Sequence, residues 1–216
     1  MDGAGTADGN GPTDERRSTG IGALDRALGG GIRPGSLVAL VGGPAAPTEP
    51  VLYAAATPRP TRYLTALRPV DEVEAELARH GVDEAAVGRV SGDELLADPE
   101  TGFGGIDEGT TVVVDPITDA EQGGRETYRG LLAAGKRALR RADGIGMLHC
   151  FETTPPTLRR DLTLARADHV WRVDLAGEAG VDVLLTVRKA RSHAFPDRRF
   201  ALDVTADGVT AAPVED

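Results

Sequence analysis

With 216 residues, 40% of them hydrophobic and only 4% aromatic, the chain has the apolar mass for one domain, with a core built from Val, Leu, Ile and Ala. A net charge of −10 argues against a nucleic-acid footprint, which needs a basic stripe to meet phosphates. One cysteine, Cys150, excludes an internal disulfide, and four scattered histidines (His80, His149, His169, His193) give no metal-ligand spacing, so no metal site is expected.

Residues 1–17, rich in Gly, Ala and Asp, read as a disordered acidic tail, residues 18–212 as the domain and 213–216 as a short tail. A short helix is predicted over Gly22 to Leu28, then a turn at Gly29-Gly30-Gly31 and a buried strand from Leu37 to Val41. Pro50 to Ala56 allows about two helical turns before Thr57-Pro58-Arg59-Pro60 stops them. Tyr63 to Leu67 reads as a strand, Val70 to His80 as an amphipathic helix ended by Gly81, and Ala86 to Val90 as a short strand. Thr110 to Val114 is an apolar, β-branched run closing on Asp115, and Arg125 to Ala142 is a helix long enough to cross back over a sheet. A buried strand over Gly146 to Phe151 and a helix over Leu158 to Ala167 follow. Strands are then expected at Val170 to Val173, Val181 to Val187 and Phe200 to Val204, with a turn at Asp207-Gly208. The alternation predicts an α/β sandwich with a mainly parallel central sheet and antiparallel strands at its C-terminal end.

Between the first strand and the short helix lies Gly42-Gly43-Pro44-Ala45-Ala46-Pro47-Thr48-Glu49. A phosphate-binding loop of the form G-x-x-x-x-G-K-[ST] would occupy this place, its backbone N–H groups, lysine and hydroxyl serving the phosphates and Mg²⁺. Gly42 matches the first glycine, but Pro47 stands at the second glycine, Thr48 at the lysine and Glu49 at the Ser/Thr position. Prolines donate no N–H, and an acid repels a phosphate-bound metal. Thr48-Glu49-Pro50 also reads as an ordinary helix start with a capping side chain.

The lead-in Ser18-Thr19-Gly20-Ile21, Leu24-Asp25, Leu28-Gly29-Gly30-Gly31-Ile32 and Pro34-Gly35-Ser36 resembles that of the RecA/RadA/KaiC family of P-loop ATPases, in its KaiC-like branch. The resemblance implies a RecA-like three-layer sandwich. It implies that Asp115 is the Walker B-like aspartate. It places Leu67 and Arg68 where the family carries its catalytic carboxylate, leaving no general base there. It likens Arg188-Lys189-Ala190-Arg191-Ser192-His193 to the family's K-x-R segment, making Lys189 and Arg191 a basic pair that reaches a neighbouring subunit's γ-phosphate. The same pair also fits the outward face of an edge strand.

Lys136 and Lys189 are the only lysines among 24 basic residues. This acidic, lysine-poor composition resembles that of haloarchaeal proteins, or else follows from a GC-rich bacterial genome. No apolar run reaches membrane-spanning length and the N-terminus lacks a basic-then-apolar leader, so a cytoplasmic protein is expected. His149 and Cys150 point to opposite faces of a strand and do not form a nucleophile–base pair. These features favour a pseudo-ATPase acting as a regulatory or scaffold subunit, with no cofactor, through a protein partner, a homo-oligomer or an active paralogue. The alternatives are an ATPase that takes Mg-ATP in a non-standard loop and a DNA recombination or repair accessory.

Overall fold

A computed structural model describes residues 15–177, 182–191, 198–206 and 208–214. Its strands are β1 (Leu37–Gly42), β2 (Thr61–Thr65), β3 (Ala85–Arg89), β4 (Thr111–Asp115), β5 (Ile145–Phe151), β6 (His169–Ala176), β7 (Asp182–Ala190), β8 (Arg198–Thr205) and β9 (Gly208–Pro213). They form one sheet in the order β3-β2-β4-β5-β1-β6-β7-β8-β9. The first six are parallel, and β7, β8 and β9 continue the sheet antiparallel.

Both faces of the parallel part are covered, which explains why β1 is buried at every position. Val38 and Leu40 face a layer made by α1 (Gly22–Ala27), α2 (Glu49–Ala56) and α3 (Val70–Arg79), where Leu24, Val51, Tyr53 and Leu77 join the same cluster. Leu37, Ala39 and Val41 face the other layer, of α4 (Gly92–Ala97), α5 (Glu100–Phe103), α6 (Arg125–Arg141) and α7 (Arg160–Arg166). The result is the α/β sandwich that the strand–helix alternation predicts, in the three layers that the resemblance implies.

Two helices have no counterpart in the sequence reading, which names nothing between Val90 and Thr110. α4 starts on a capping box in which Ser91 Oγ accepts from the Glu94 N–H and Glu94 returns a bond to the Ser91 N–H. α5 is a single turn started by Pro99. At the other end of the chain β7 runs to Ala190, beyond the expected Val187. It lies between β6 and β8, so Lys189 is not on an edge strand. Val181, Ser192, His193 and Asp207, which enter the sequence reading, lie outside the described residues. Near the N-terminus, Arg17 and Ile32 exchange backbone hydrogen bonds at 2.7 and 2.9 Å, an isolated bridge that ties the chain before Ser18 to the turn after α1.

Candidate functional site

Parallel strands deliver their C-terminal ends to one edge, and the segment 43–48 crosses that edge after β1. Two of its backbone donors turn inward: the Ala46 N–H bonds Gly43 O at 2.9 Å and the Thr48 N–H bonds Ala46 O at 2.8 Å. Pro44, Pro47 and Pro50 have no donor. The loop closes tightly on the strand, since a Cβ at Gly42 would stand 2.5 Å from the Thr48 methyl group. The Gly42 carbonyl accepts from the Glu152 N–H at 2.8 Å, which fastens the end of β1 to the end of β5.

Thr48 occupies the N-cap of α2, yet its side chain makes no cap bond; the expected capping role is corrected here. The fully buried Oγ1 lies 2.8 Å from His149 Nε2 instead, with Glu49 Oε2 at 3.4 Å. On the far side of the ring, His149 Nδ1 is 2.5 Å from Asp115 Oδ1. A carboxylate only accepts, so Nδ1 carries a proton, while Nε2 on the other side of the ring faces the Thr48 hydroxyl, which is able to donate or accept. The second Asp115 oxygen accepts a short hydrogen bond from Tyr63 OH and faces Arg68 Nη2 at 3.4 Å. Arg68 in turn lies over the Tyr53 ring, 5.7 Å from its centroid.

Strand register produces this convergence. Thr65 pairs with Asp115 and Val114 with Leu148, so the ends of β2, β4 and β5 lie side by side. Tyr63, Asp115 and His149 share the α2 face of the sheet with Val113 and Met147, because side chains alternate along a strand. Burial alone raises the Asp115 carboxyl. The hydrogen bond and charge of His149, the Tyr63 hydroxyl and Arg68 outweigh it and hold the group below its ordinary range. Burial, reinforced by the Asp115 charge, pushes the Tyr63 phenol well above 10.

Hydroxyl, imidazole and carboxylate thus stand in the partner order of a nucleophilic triad. Thr48 Oγ1 is sealed from solvent, however, and both Asp115 oxygens are taken. The arrangement holds a proton network in place; it presents no reacting atom to a substrate. Among the described residues no three His, Cys, Asp or Glu side chains are grouped for a metal ion.

Of the residues singled out from sequence, Gly42, Gly43, Pro47, Thr48, Glu49 and Asp115 come together at this edge. Lys189 and Arg191 do not. They lie at the end of β7, which runs antiparallel, and so at the opposite edge. Lys189 Nζ donates to the carbonyls of Leu164 (2.8 Å) and Ala165 (3.1 Å), and Arg191 Nη2 to Ala165 O at 3.1 Å. Both cations thereby cap the C-terminus of α7, the negative end of its dipole. Leu67, in the expected carboxylate place, is 66% exposed beside Arg68.

A second buried carboxylate stiffens the neighbouring loop. Glu121, with no exposed surface, receives Arg160 through Nε (2.9 Å) and Nη2 (2.8 Å), together with the hydroxyls of Thr157 and Thr163. It pins the segment between β5 and α7. Cys150 packs beside it, its thiol pushed above the ordinary range first by burial and then by the Glu121 charge, which is an inert environment.

Sheet order, covered faces and a loop–helix junction after β1 define a KaiC-like RecA fold. The solved structures that share it include the KaiC-like protein PH0186 from the hyperthermophilic archaeon Pyrococcus horikoshii OT3. That match has a TM-score of 0.72 and 17% sequence identity, and covers 92% of this chain and 99% of that one. By sequence, the chain belongs to a family of unknown function, DUF7125, whose model matches residues 16–212. No curated protein matches it.

Proposed function

We propose that this protein is a non-catalytic relative of the KaiC- and RadA-type ATPases, a pseudo-ATPase that works as a regulatory or scaffold subunit through protein contacts. One observation carries the reading. The Thr48–His149–Asp115 relay fills with the chain's own side chains the place where a P-loop protein meets phosphate and metal. A Mg-nucleotide needs outward-facing backbone donors, a lysine, and a hydroxyl and carboxylate free to reach the metal shell. Here the Ala46 and Thr48 N–H groups bond carbonyls within the loop, the lysine is Thr48, Glu49 adds negative charge, and the Asp115 oxygens are engaged by His149, Tyr63 and Arg68. These residues do not fit the group.

The partner is a protein: another copy of the chain, or an active paralogue. Supporting this, Arg191 keeps more than half of its side-chain surface exposed beside Lys189 at the far edge of the sheet. The acidic, lysine-poor composition fits a salt-rich cytoplasm, and none of the described helices is long and apolar enough to cross a membrane.

Calorimetric titration with Mg-ATP and Mg-ADP in concentrated KCl, with thermal unfolding in parallel, tests the reading, because a ligand of the native state raises its stability. No heat and no stabilisation at millimolar nucleotide is the expected result. Binding of either nucleotide overturns it in favour of an ATPase with a non-standard loop, and turnover by the wild type and by Asp115→Asn is then the deciding measurement. Sedimentation of the same samples reports whether the partner is a second copy.

A further inference from the structure

Away from the relay, the sheet ends in two edge strands, β3 and β9. They are finished differently. β3 follows Asp83 and Glu84 and closes on Arg89, all three exposed, and charges of this kind keep an edge strand from pairing with a neighbour. β9, with the sequence Gly-Val-Thr-Ala-Ala-Pro, carries no charged side chain, in a chain whose net charge is −10.

The pairing of β9 with β8 fixes which of its backbone groups face outward. Phe200 stands opposite Pro213, which has no N–H, while the Val214 N–H bonds Arg199 O at 2.9 Å. Hydrogen-bonded and non-hydrogen-bonded positions alternate in an antiparallel pair. Pro213, Ala211 and Val209, opposite Phe200, Leu202 and Val204, are therefore the non-hydrogen-bonded positions. The N–H and C=O groups of Val209 and Ala211 point away from β8, and among the described residues no further strand meets them. The side chains of Val209 and Ala211 pack against the core on the α2 side, whereas Thr210, between them, is exposed on the other face.

With the partner taken, as above, to be another copy of the chain, we propose that β9 pairs with the β9 of that copy, antiparallel about a two-fold axis at Thr210, joining the two sheets into one. In this register Val209 of one copy faces Ala211 of the other, and each such pair exchanges both of its backbone hydrogen bonds. The outward groups of the two residues thus satisfy one another. A slip that pairs Ala211 with itself sets Val209 against Pro213, which has no N–H to return, so the proline pins the register. Thr210 meets its own counterpart across the axis at a non-hydrogen-bonded position, where side chains stand closest and a threonine pair is favourable. The uncharged edge also lets two strongly acidic copies meet without setting acid against acid.

Sedimentation equilibrium of the full chain tests the pairing, with thermal unfolding to confirm that each variant folds. The wild type is expected to form a dimer as concentration rises. Thr210→Lys and Thr210→Glu each set like charges opposite one another at the axis and weaken the dimer by about fivefold, whereas an equimolar mixture of the two restores it, because Lys then faces Glu. Ala211→Pro removes an outward donor and no bond to β8, and weakens the dimer by about tenfold or more. Ala86→Lys, at the exposed β3 edge, leaves it unchanged. A wild type that stays monomeric up to about 1 mM, a dimer indifferent to the Thr210 and Ala211 variants, a mixture that associates no better than its components, or equal weakening by Ala86→Lys overturns the proposal. A dimer indifferent to the β9 variants leaves the reading of a protein partner standing, and none of these outcomes bears on Mg-nucleotide, which is titrated separately.

Discussion

His149 and Asp115 form a buried hydrogen-bonded pair of 2.5 Å across adjacent strands, and every other contact of the relay depends on it. Removing the ring leaves the carboxylate short of its principal partner in a dry environment. His149→Ala is expected to cost about 3 kcal/mol or more, from the poorly compensated buried charge and the cavity together. Urea unfolding measures this; a loss below about 1 kcal/mol shows that Asp115 finds a replacement partner.

Acid should weaken the fold through the same pair. The Asp115 carboxyl has a lower pKa folded than unfolded, so in acid the unfolded chain binds more protons. Its stabilising contribution is complete above the unfolded value near about 4 and is lost as pH falls through the folded one. Unfolding curves of wild type and Asp115→Asn from pH 7 to pH 2 should therefore converge toward the acid end. Parallel curves refute the assignment.

Restoring the lysine should not restore a nucleotide site. Thr48→Lys buries an ammonium against His149 in a loop interrupted by Pro44 and Pro47, and a decrease in stability of about 3 kcal/mol is expected, with no gain of Mg-ATP binding. Calorimetric nucleotide binding by this single variant runs against the expectation and against the pseudo-ATPase reading.

Glu121 and Arg160 make a similar prediction for the loop after β5. Arg160→Met strands a fully buried carboxylate, a change worth about 3–5 kcal/mol. The double variant Glu121→Leu with Arg160→Met should recover part of that loss in thermal unfolding, because it removes both charges.

Lys189→Met and Arg191→Met remove caps from α7 and should each cost only about 0.5 kcal/mol. If this edge also meets a second copy, their effect on sedimentation is far larger than their effect on unfolding. A change confined to stability leaves them as helix caps alone.

Much of the frame was legible. The glycine pattern from Ser18 to Ser36 and the apolar run closing on Asp115 are local signals, and in the structure they become the approach to β1 and the central strand β4. The relay was not legible, because it depends on which strands become neighbours: His149 was weighed against Cys150, next to it in sequence, while its partners are 34 and 101 residues away. Tyr63 and Arg68 carry no local mark at all. The capping box at Ser91 and Glu94, by contrast, is a local signal of the S-x-x-E form. Lys189 and Arg191 fit an edge strand in the sequence because alternation about Val187 shows which face a side chain takes and not which strands flank β7.

The fit between the Thr48 methyl group and the backbone of Gly42 constrains how this loop can change over time. Any larger side chain at either position displaces the other, and any charge at Thr48 must be accepted by His149 first. A lysine at 48 therefore calls for a matching change at 149. The buried contacts couple the two positions, so that this edge tolerates paired substitutions where it resists single ones.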